Sequence, residues 1–135
     1  MSWPILIAAV LSALLFVAHT FFGTRQTWST HPAAQAGWHQ HRNWHQAVAA
    51  WHLVTADLLL MTALQWALAF PTGWSFRQEA ALFVAVFYGL WALFWLLNFG
   101  TTRGAHRFFW GLPQWMFFLA NTVLMLWGAY GISTF

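Results

Sequence analysis

The stretch AALFVAVFYGLWALFWLLNF, from Ala80 to Phe99, decides the fold because it runs for twenty residues without a charged side chain. A helix needs about 20 such residues to cross the hydrocarbon of a bilayer. Three further apolar runs of similar length occur at Pro4–Phe22, Val48–Phe70 and Pro113–Gly131. Together the four runs predict helices over about residues 4–22, 44–70, 78–99 and 113–131. We therefore expect an all-α protein, an integral membrane four-helix up-and-down bundle that forms one transmembrane domain over residues 1–135.

The composition supports a membrane protein and excludes several other classes. Of the 135 residues, 61% are hydrophobic and only 5% are charged, whereas a soluble protein has about a quarter charged. The few basic residues are scattered over short loops, so no nucleic-acid-binding face is expected. The chain has no cysteine, which rules out disulfides, thiolate metal ligands and thiol catalysis. Gly23 and Gly100 are predicted to end the first and third helices.

The arginines predict the orientation of the helices. Four of them fall in the two longer connections: Arg25, Arg42, Arg103 and Arg107. The opposite side has only Arg77, which Glu79 offsets. By the positive-inside rule the two longer connections face the cytoplasm and both termini face the periplasm. Most of the tryptophans lie near a predicted boundary, as in the aromatic belt at headgroup level.

The stretch WHQHRNWHQAVAAWH, from Trp38 to His52, concentrates histidine and tryptophan before and at the start of the second apolar run. His41 and His45 have the i, i+4 spacing that places two imidazoles on one helical face, where they could bind zinc or copper. Neither a carboxylate nor a cysteine lies nearby, and tryptophan alternates with histidine as in segments at the membrane interface. Both a metal site and solvated histidines therefore remain open.

One hydrogen-bonding side chain from each helix is expected at the same depth near the cytoplasmic edge. These residues are His19, His52, Asn98 and Gln114. A polar residue inside a span should have a partner, so we expect the two histidines to face the interior of the bundle. Three interpretations are open: ligation of a b-type haem by His19 and His52, binding of a quinone or another amphipathic ligand, or a structural polar layer.

A second polar layer is expected near the bilayer midplane, formed by Ser12, Asp57, Tyr88 and Asn121. Asp57 is the one carboxylate inside a predicted span, and an ionised aspartate there costs at least about 2.5–3.5 kcal/mol. It therefore has to be neutral, paired or hydrated. We expect a neutral acid that is hydrogen-bonded to Asn121 or Tyr88 and fixes helix register, with a proton-relay or ligand-binding role as the alternative.

Short motifs suggest a family. His19 followed by Gly23, then Trp51-His52 with Thr55, and finally Leu112-Pro113-Gln114-Trp115 resemble the pattern of a group of small uncharacterised bacterial four-helix membrane proteins. The resemblance spans most of the chain. It implies the bacterial inner membrane as location and a role for the layer of His19, His52 and Gln114, but no particular reaction.

The expected function is that of an accessory or ligand-binding subunit of a larger membrane complex, without catalysis. Short loops, an aromatic-rich exterior and the lack of a soluble domain favour this interpretation. The alternative is a membrane redox protein that binds haem b or a quinone through His19 and His52. A pigment is a further possible ligand, and a homo-oligomer a further possible assembly.

Overall fold

The computed structural model describes residues 1–70 and 73–132, and this part of the chain is entirely helical in its regular structure. The elements are α1 (Trp3–Ala18), a π-helical turn (His19–Gly23), α2 (Thr24–Ser29), α3 (Trp38–Ala69), α4 (Arg77–Thr101), a 3-10 turn (Ala105–Phe108) and α5 (Gln114–Ile132).

Three helical runs in the described residues are long and apolar enough to cross a membrane. They are Trp3–Ser29, Trp38–Ala69 and Arg77–Thr101. The fourth predicted helix corresponds to α5, which has 19 residues and is not one of these three. The helical structure of the described residues confirms the expected all-α class.

The first two predicted helices extend further in the structure than the sequence predicts. Gly23 does not end the first helix, because its φ of −70° is helical and the chain continues through the π-helical turn into α2. The helix α3 begins at Trp38 instead of residue 44, so only residues 30–37 separate α2 from α3. At a rise of about 1.5 Å per residue, its 32 residues span about 48 Å, more than the roughly 30 Å of hydrocarbon. Gly100 also lies within a helix, since α4 ends at Thr101.

The chain divides into two compact units. Unit 1 consists of Met1–Leu11 and Ala63–Phe135, and unit 2 consists of Ser12–Thr62. Most of the buried residues that the structure describes lie in unit 1. The described buried residues of unit 2 are Ser12, Trp44, Leu58 and Thr62.

In unit 1 the helix α5 packs closely against α4 and against the start of α1. The Tyr88 ring of α4 stacks on Phe118 of α5 at a centroid distance of 6.0 Å. Gly128 of α5 lies so close to Ile5 of α1 that a methyl group in its place would overlap the isoleucine side chain. The absence of a Cβ therefore allows these two helices to approach.

The connection between α3 and α4 is held by a charged side chain. The Nε and Nη2 groups of Arg77 donate hydrogen bonds of 3.1 and 2.7 Å to the carbonyl oxygen of Leu68. The backbone nitrogen of Ser2 donates to the neighbouring carbonyl of Ala69 at 2.8 Å. The three bonds satisfy two carbonyls in the last turn of α3, which has no further turn of helix to supply donors.

Burial along each long helix recurs every three or four residues, which is the period of one helical face. On α3 the most buried side chain in each turn belongs to a series that we call the α3 stripe: Trp44, Val48, Trp51, Thr55, Leu58, Thr62, Gln65 and Ala69. Each member follows the preceding one by three or four positions. A residue next to a stripe member is rotated from it by about 100°, and this rotation decides where several polar residues point.

Candidate functional site

In unit 2 the imidazole ring of His19 stacks on the indole ring of Trp51. Their ring centroids are 3.5 Å apart with an interplanar angle of 13°. The Nε2 atom of His19 also lies 3.4 Å from the carbonyl oxygen of Trp51, to which it donates when the proton is on Nε2. His19 is therefore positioned by both its ring face and its edge.

Trp51 is itself fixed through its polar atoms. Its indole Nε1 donates to the Thr24 hydroxyl at 3.3 Å, and its carbonyl oxygen accepts a bond of 2.9 Å from the Thr55 hydroxyl. The ring is half-buried. A large aromatic side chain with its N–H satisfied contributes apolar contact at no cost in unpaired donors.

Gly23 completes this site because the Trp51 ring lies directly over it. A methyl group at position 23 would overlap the Cη2 and Cζ2 atoms of that ring. The π-helical turn from His19 to Gly23 closes its hydrogen bonds over five residues instead of four, a feature that is frequent at functional sites. His19, Gly23, Thr24, Trp51 and Thr55 thus form one set of contacts, which we call the His19–Trp51 cluster.

His52 was the predicted partner of His19, whereas the ring that contacts His19 in the structure is that of Trp51. His52 is exposed, because it follows Trp51 on α3 and is rotated away from the α3 stripe. The expectation that both histidines face the interior is wrong for His52. Asn98 is exposed for the same reason, as it precedes the buried Phe99 on α4.

The fourth residue of that predicted layer, Gln114, is half-buried at the start of α5. Its Oε1 atom is buried and has no hydrogen-bond partner among the described residues. Thr20 Oγ1, in the π-helical turn, is in the same situation. Each is an acceptor that a ligand or a water molecule with a free donor could satisfy.

The second predicted layer is largely buried. Ser12, Tyr88 and Asn121 are each fully shielded from solvent. Asp57 is only half-buried, because it precedes Leu58 and lies at the edge of the α3 stripe. The side-chain amide that pairs with Asn121 is that of Gln65, whose Nε2 donates to Asn121 Oδ1 at 3.1 Å.

Gln65 is a functional candidate that the sequence analysis missed. It is fully buried, and its Oε1 atom lacks a hydrogen-bond partner within the described part of the chain. Asn121 in turn donates from Nδ2 to the Phe117 carbonyl at 3.2 Å. The signal was present in the sequence, since Gln65 follows Leu58 by seven positions and therefore lies on the same helical face.

A buried tryptophan lies beside the predicted metal pair. Trp44 is 8% exposed and its Nε1 donates to the Thr27 carbonyl at 3.3 Å. The His41 ring lies 6.1 Å from that of His31, whereas His45 is exposed. In the described residues no group of three or more metal-ligating side chains comes together, and so the two predicted ligands gain no third protein ligand there.

Comparison with protein-family models, with curated proteins and with solved structures found no match for this chain. Its function therefore has to be argued from its own residues.

Proposed function

We propose that the chain is a non-catalytic four-helix protein of the bacterial inner membrane that serves as an accessory or ligand-binding subunit of a larger membrane complex. The observation that carries this proposal is the contrast between the outer and inner faces of the long helices. Large apolar side chains such as Leu60, Phe94 and Val123 are exposed, whereas the buried polar groups include the uncharged amides of Gln65 and Asn121. Lipid or another apolar protein surface is the environment that such an exterior requires.

The up-and-down arrangement, with α5 as a fourth span, belongs to this proposal. A chain whose ends lie on the same side of a membrane has an even number of spans, and the arginine distribution favours both ends in the periplasm. A reporter that is active only in the cytoplasm, fused after Phe135, should be inactive, whereas the same reporter inserted at Gly37 should be active. Activity of the fusion after Phe135 would contradict the orientation.

Interior amide pairs are one of the contacts by which transmembrane helices associate, and such a pair supplies neither an acid nor a nucleophile. The Nε2 edge of the half-buried His19 lies 3.4 Å from the Trp51 carbonyl oxygen. This contact favours a structural histidine over a ligand to iron, for which the imidazole edge has to face the metal.

The redox alternative can be tested by absorption. Purified protein should show no Soret band at stoichiometric intensity, and His19→Leu and His52→Leu variants should have the same spectrum as the unchanged chain. A Soret band that is lost in either variant would establish the haem alternative instead. A carotenoid or chlorophyll spectrum would identify a pigment-complex subunit.

The assembly is testable in the native membrane. A photoreactive phenylalanine analogue at the exposed Phe94 should give one defined cross-linked species, whereas the same analogue at the buried Phe118 should not. A product of twice the chain mass would indicate a homo-oligomer, and a smear of lipid adducts alone would contradict the accessory role.

A further inference from the structure

An arginine-lined groove lies where α4 ends, within unit 1. It has a volume of about 410 Å³, and its lining includes Asn98, Thr102, Arg103, Gly104, Arg107 and Leu112. Both arginine side chains are exposed, and no lining residue is acidic. Since Asp57 and Glu79 are the chain's two carboxylates, the groove contains two positive charges without an acidic residue to neutralise them.

The segment that carries these arginines is well anchored. The Trp115 Nε1 donates to the Phe109 carbonyl at 3.2 Å, and the rings of these two residues are 4.7 Å apart. Phe109 also contacts Phe99 of α4 at 5.3 Å. These aromatic contacts hold the 3-10 turn against the ends of α4 and α5, so the arginines are presented on a fixed backbone.

A left-handed glycine and a side-chain hydrogen bond shape the polar part of the groove. Gly104 has a φ of +81°, a left-handed conformation that a residue with a side chain rarely adopts, and it reverses the chain after α4. The Thr102 hydroxyl donates to Asn98 Oδ1 at 2.8 Å. This bond orients the Asn98 amide so that its NH2 group is the remaining donor.

The surroundings of the groove are those of a membrane interface. Trp110 follows the 3-10 turn and is 77% exposed, as expected for a tryptophan at headgroup level. Phe99 and Leu112 add apolar surface to the lining. A ligand that matches this arrangement carries a negative charge at one end and hydrocarbon at the other.

We propose that this groove binds the phosphate of an anionic membrane lipid, such as a phosphatidylglycerol. Arginine pairs with phosphate through two parallel hydrogen bonds, and basic pockets beside transmembrane helices bind anionic headgroups. The inference rests on the proposed membrane location. It goes beyond that location because it names the lipid class and the residues that select it.

The test uses the full chain in a neutral detergent. Dihexanoyl-phosphatidylglycerol, dihexanoyl-phosphatidylcholine and inorganic phosphate are titrated separately, and the dissociation constant is obtained from the rise in melting temperature. Phosphatidylglycerol should stabilise the protein at lower concentration than phosphatidylcholine or phosphate. An Arg103→Gln/Arg107→Gln double variant should bind phosphatidylglycerol about thirtyfold more weakly, or about fivefold for each arginine removed. The Arg103→Lys/Arg107→Lys variant should keep most of the affinity because the charges remain.

The matched control removes one arginine from α2 and one from the first turns of α3. An Arg25→Gln/Arg42→Gln variant has the same net charge as the groove variant and should bind phosphatidylglycerol with unchanged affinity. Equal weakening in both variants would overturn the proposal, because attraction would then follow net charge alone. Equal binding of phosphate and phosphatidylglycerol would overturn it in favour of a free-phosphate site. A groove variant that unfolds without lipid would show that the arginines only stabilise the end of α4.

The membrane location is tested apart from the lipid site. The chain should remain in the membrane fraction after washing at alkaline pH. Release by that wash would contradict the proposed function, whereas retention without selective phosphatidylglycerol binding would contradict only the lipid site.

Discussion

Unit 1 and unit 2 use polar residues in different ways. In unit 1 the fully buried amides of Gln65 and Asn121 pair within a large set of buried apolar side chains. In unit 2 the His19–Trp51 cluster is only half-buried, and it depends on one ring stack and one glycine. Packing in unit 1 is spread over many contacts, so that no single one dominates. Packing in unit 2 is concentrated, and one added methyl group should have a large effect.

The largest expected effect is that of Gly23→Ala in unit 2. The new methyl group would overlap the Trp51 ring, and we expect the free energy of unfolding to fall by about 1–3 kcal/mol, the usual cost of overpacking. Gly128→Ala in unit 1 should also destabilise the protein, because the new methyl group would overlap the Cγ1 atom of the fully buried Ile5. Unfolding of purified protein in mixed micelles with increasing SDS measures both.

Gly100→Ala is the control for this comparison, since no atom lies within 4 Å of the position that its Cβ would occupy. It should stabilise the helix slightly, because alanine has the higher helix propensity. In a Trp51→Leu background, Gly23→Ala should no longer destabilise the protein. If it still did, the ring overlap would not be the cause.

A smaller effect is expected for Gln65→Leu in unit 1. The substitution removes the donor to Asn121, and we expect a loss of about 1 kcal/mol, in the range measured for hydrogen bonds between transmembrane helices. Combining it with Asn121→Leu should reveal a coupling energy of about 0.6 kcal/mol. The exposed Gln46 on the same helix provides the control, as Gln46→Leu should change stability by less than about 0.5 kcal/mol. Additive losses in the Gln65 and Asn121 variants would argue against the pair.

The smallest effect is expected for Asp57, at the edge of the α3 stripe. Asp57→Asn should leave the free energy of unfolding unchanged or slightly higher, because the amide keeps the shape and hydrogen-bonding capacity without the option of charge. Asp57→Leu should cost no more than about 0.6 kcal/mol. If Asp57→Asn instead abolished a pH-dependent ligand or redox change while stability stayed constant, Asp57 would have a proton-relay role.

Three residues were assigned to polar layers from their depth alone, and each lies beside a more buried neighbour. His52 follows Trp51, Asp57 precedes Leu58 and Asn98 precedes Phe99. Depth along a helix advances by only about 1.5 Å per residue, whereas direction turns by about 100°. A residue can therefore have the right depth and the wrong face.

Faces were predictable where spacing was used. Ser12 and His19, seven positions apart, are buried and half-buried, and Asn121 and Gln114 repeat this relation on α5. The same period places Trp51, Leu58 and Gln65 on one face of α3 and His52 on another, but it does not say which of these faces is buried. The early start of α3 at Trp38 was harder to foresee, because the histidines and glutamines there are polar enough to resemble a loop.

The sequence by itself determined the helical class and the apolar length of the long helices, because hydrophobicity and helical period are properties of neighbouring residues. It also determined which positions could share a face. Only the tertiary structure decided that the ring beside His19 is Trp51, that Gly23 makes room for it, and that Gln65 pairs with Asn121. These pairings depend on which faces meet and on gaps as small as one methyl group, and residues 32 and 56 positions apart along the chain carry no local signal that they will meet.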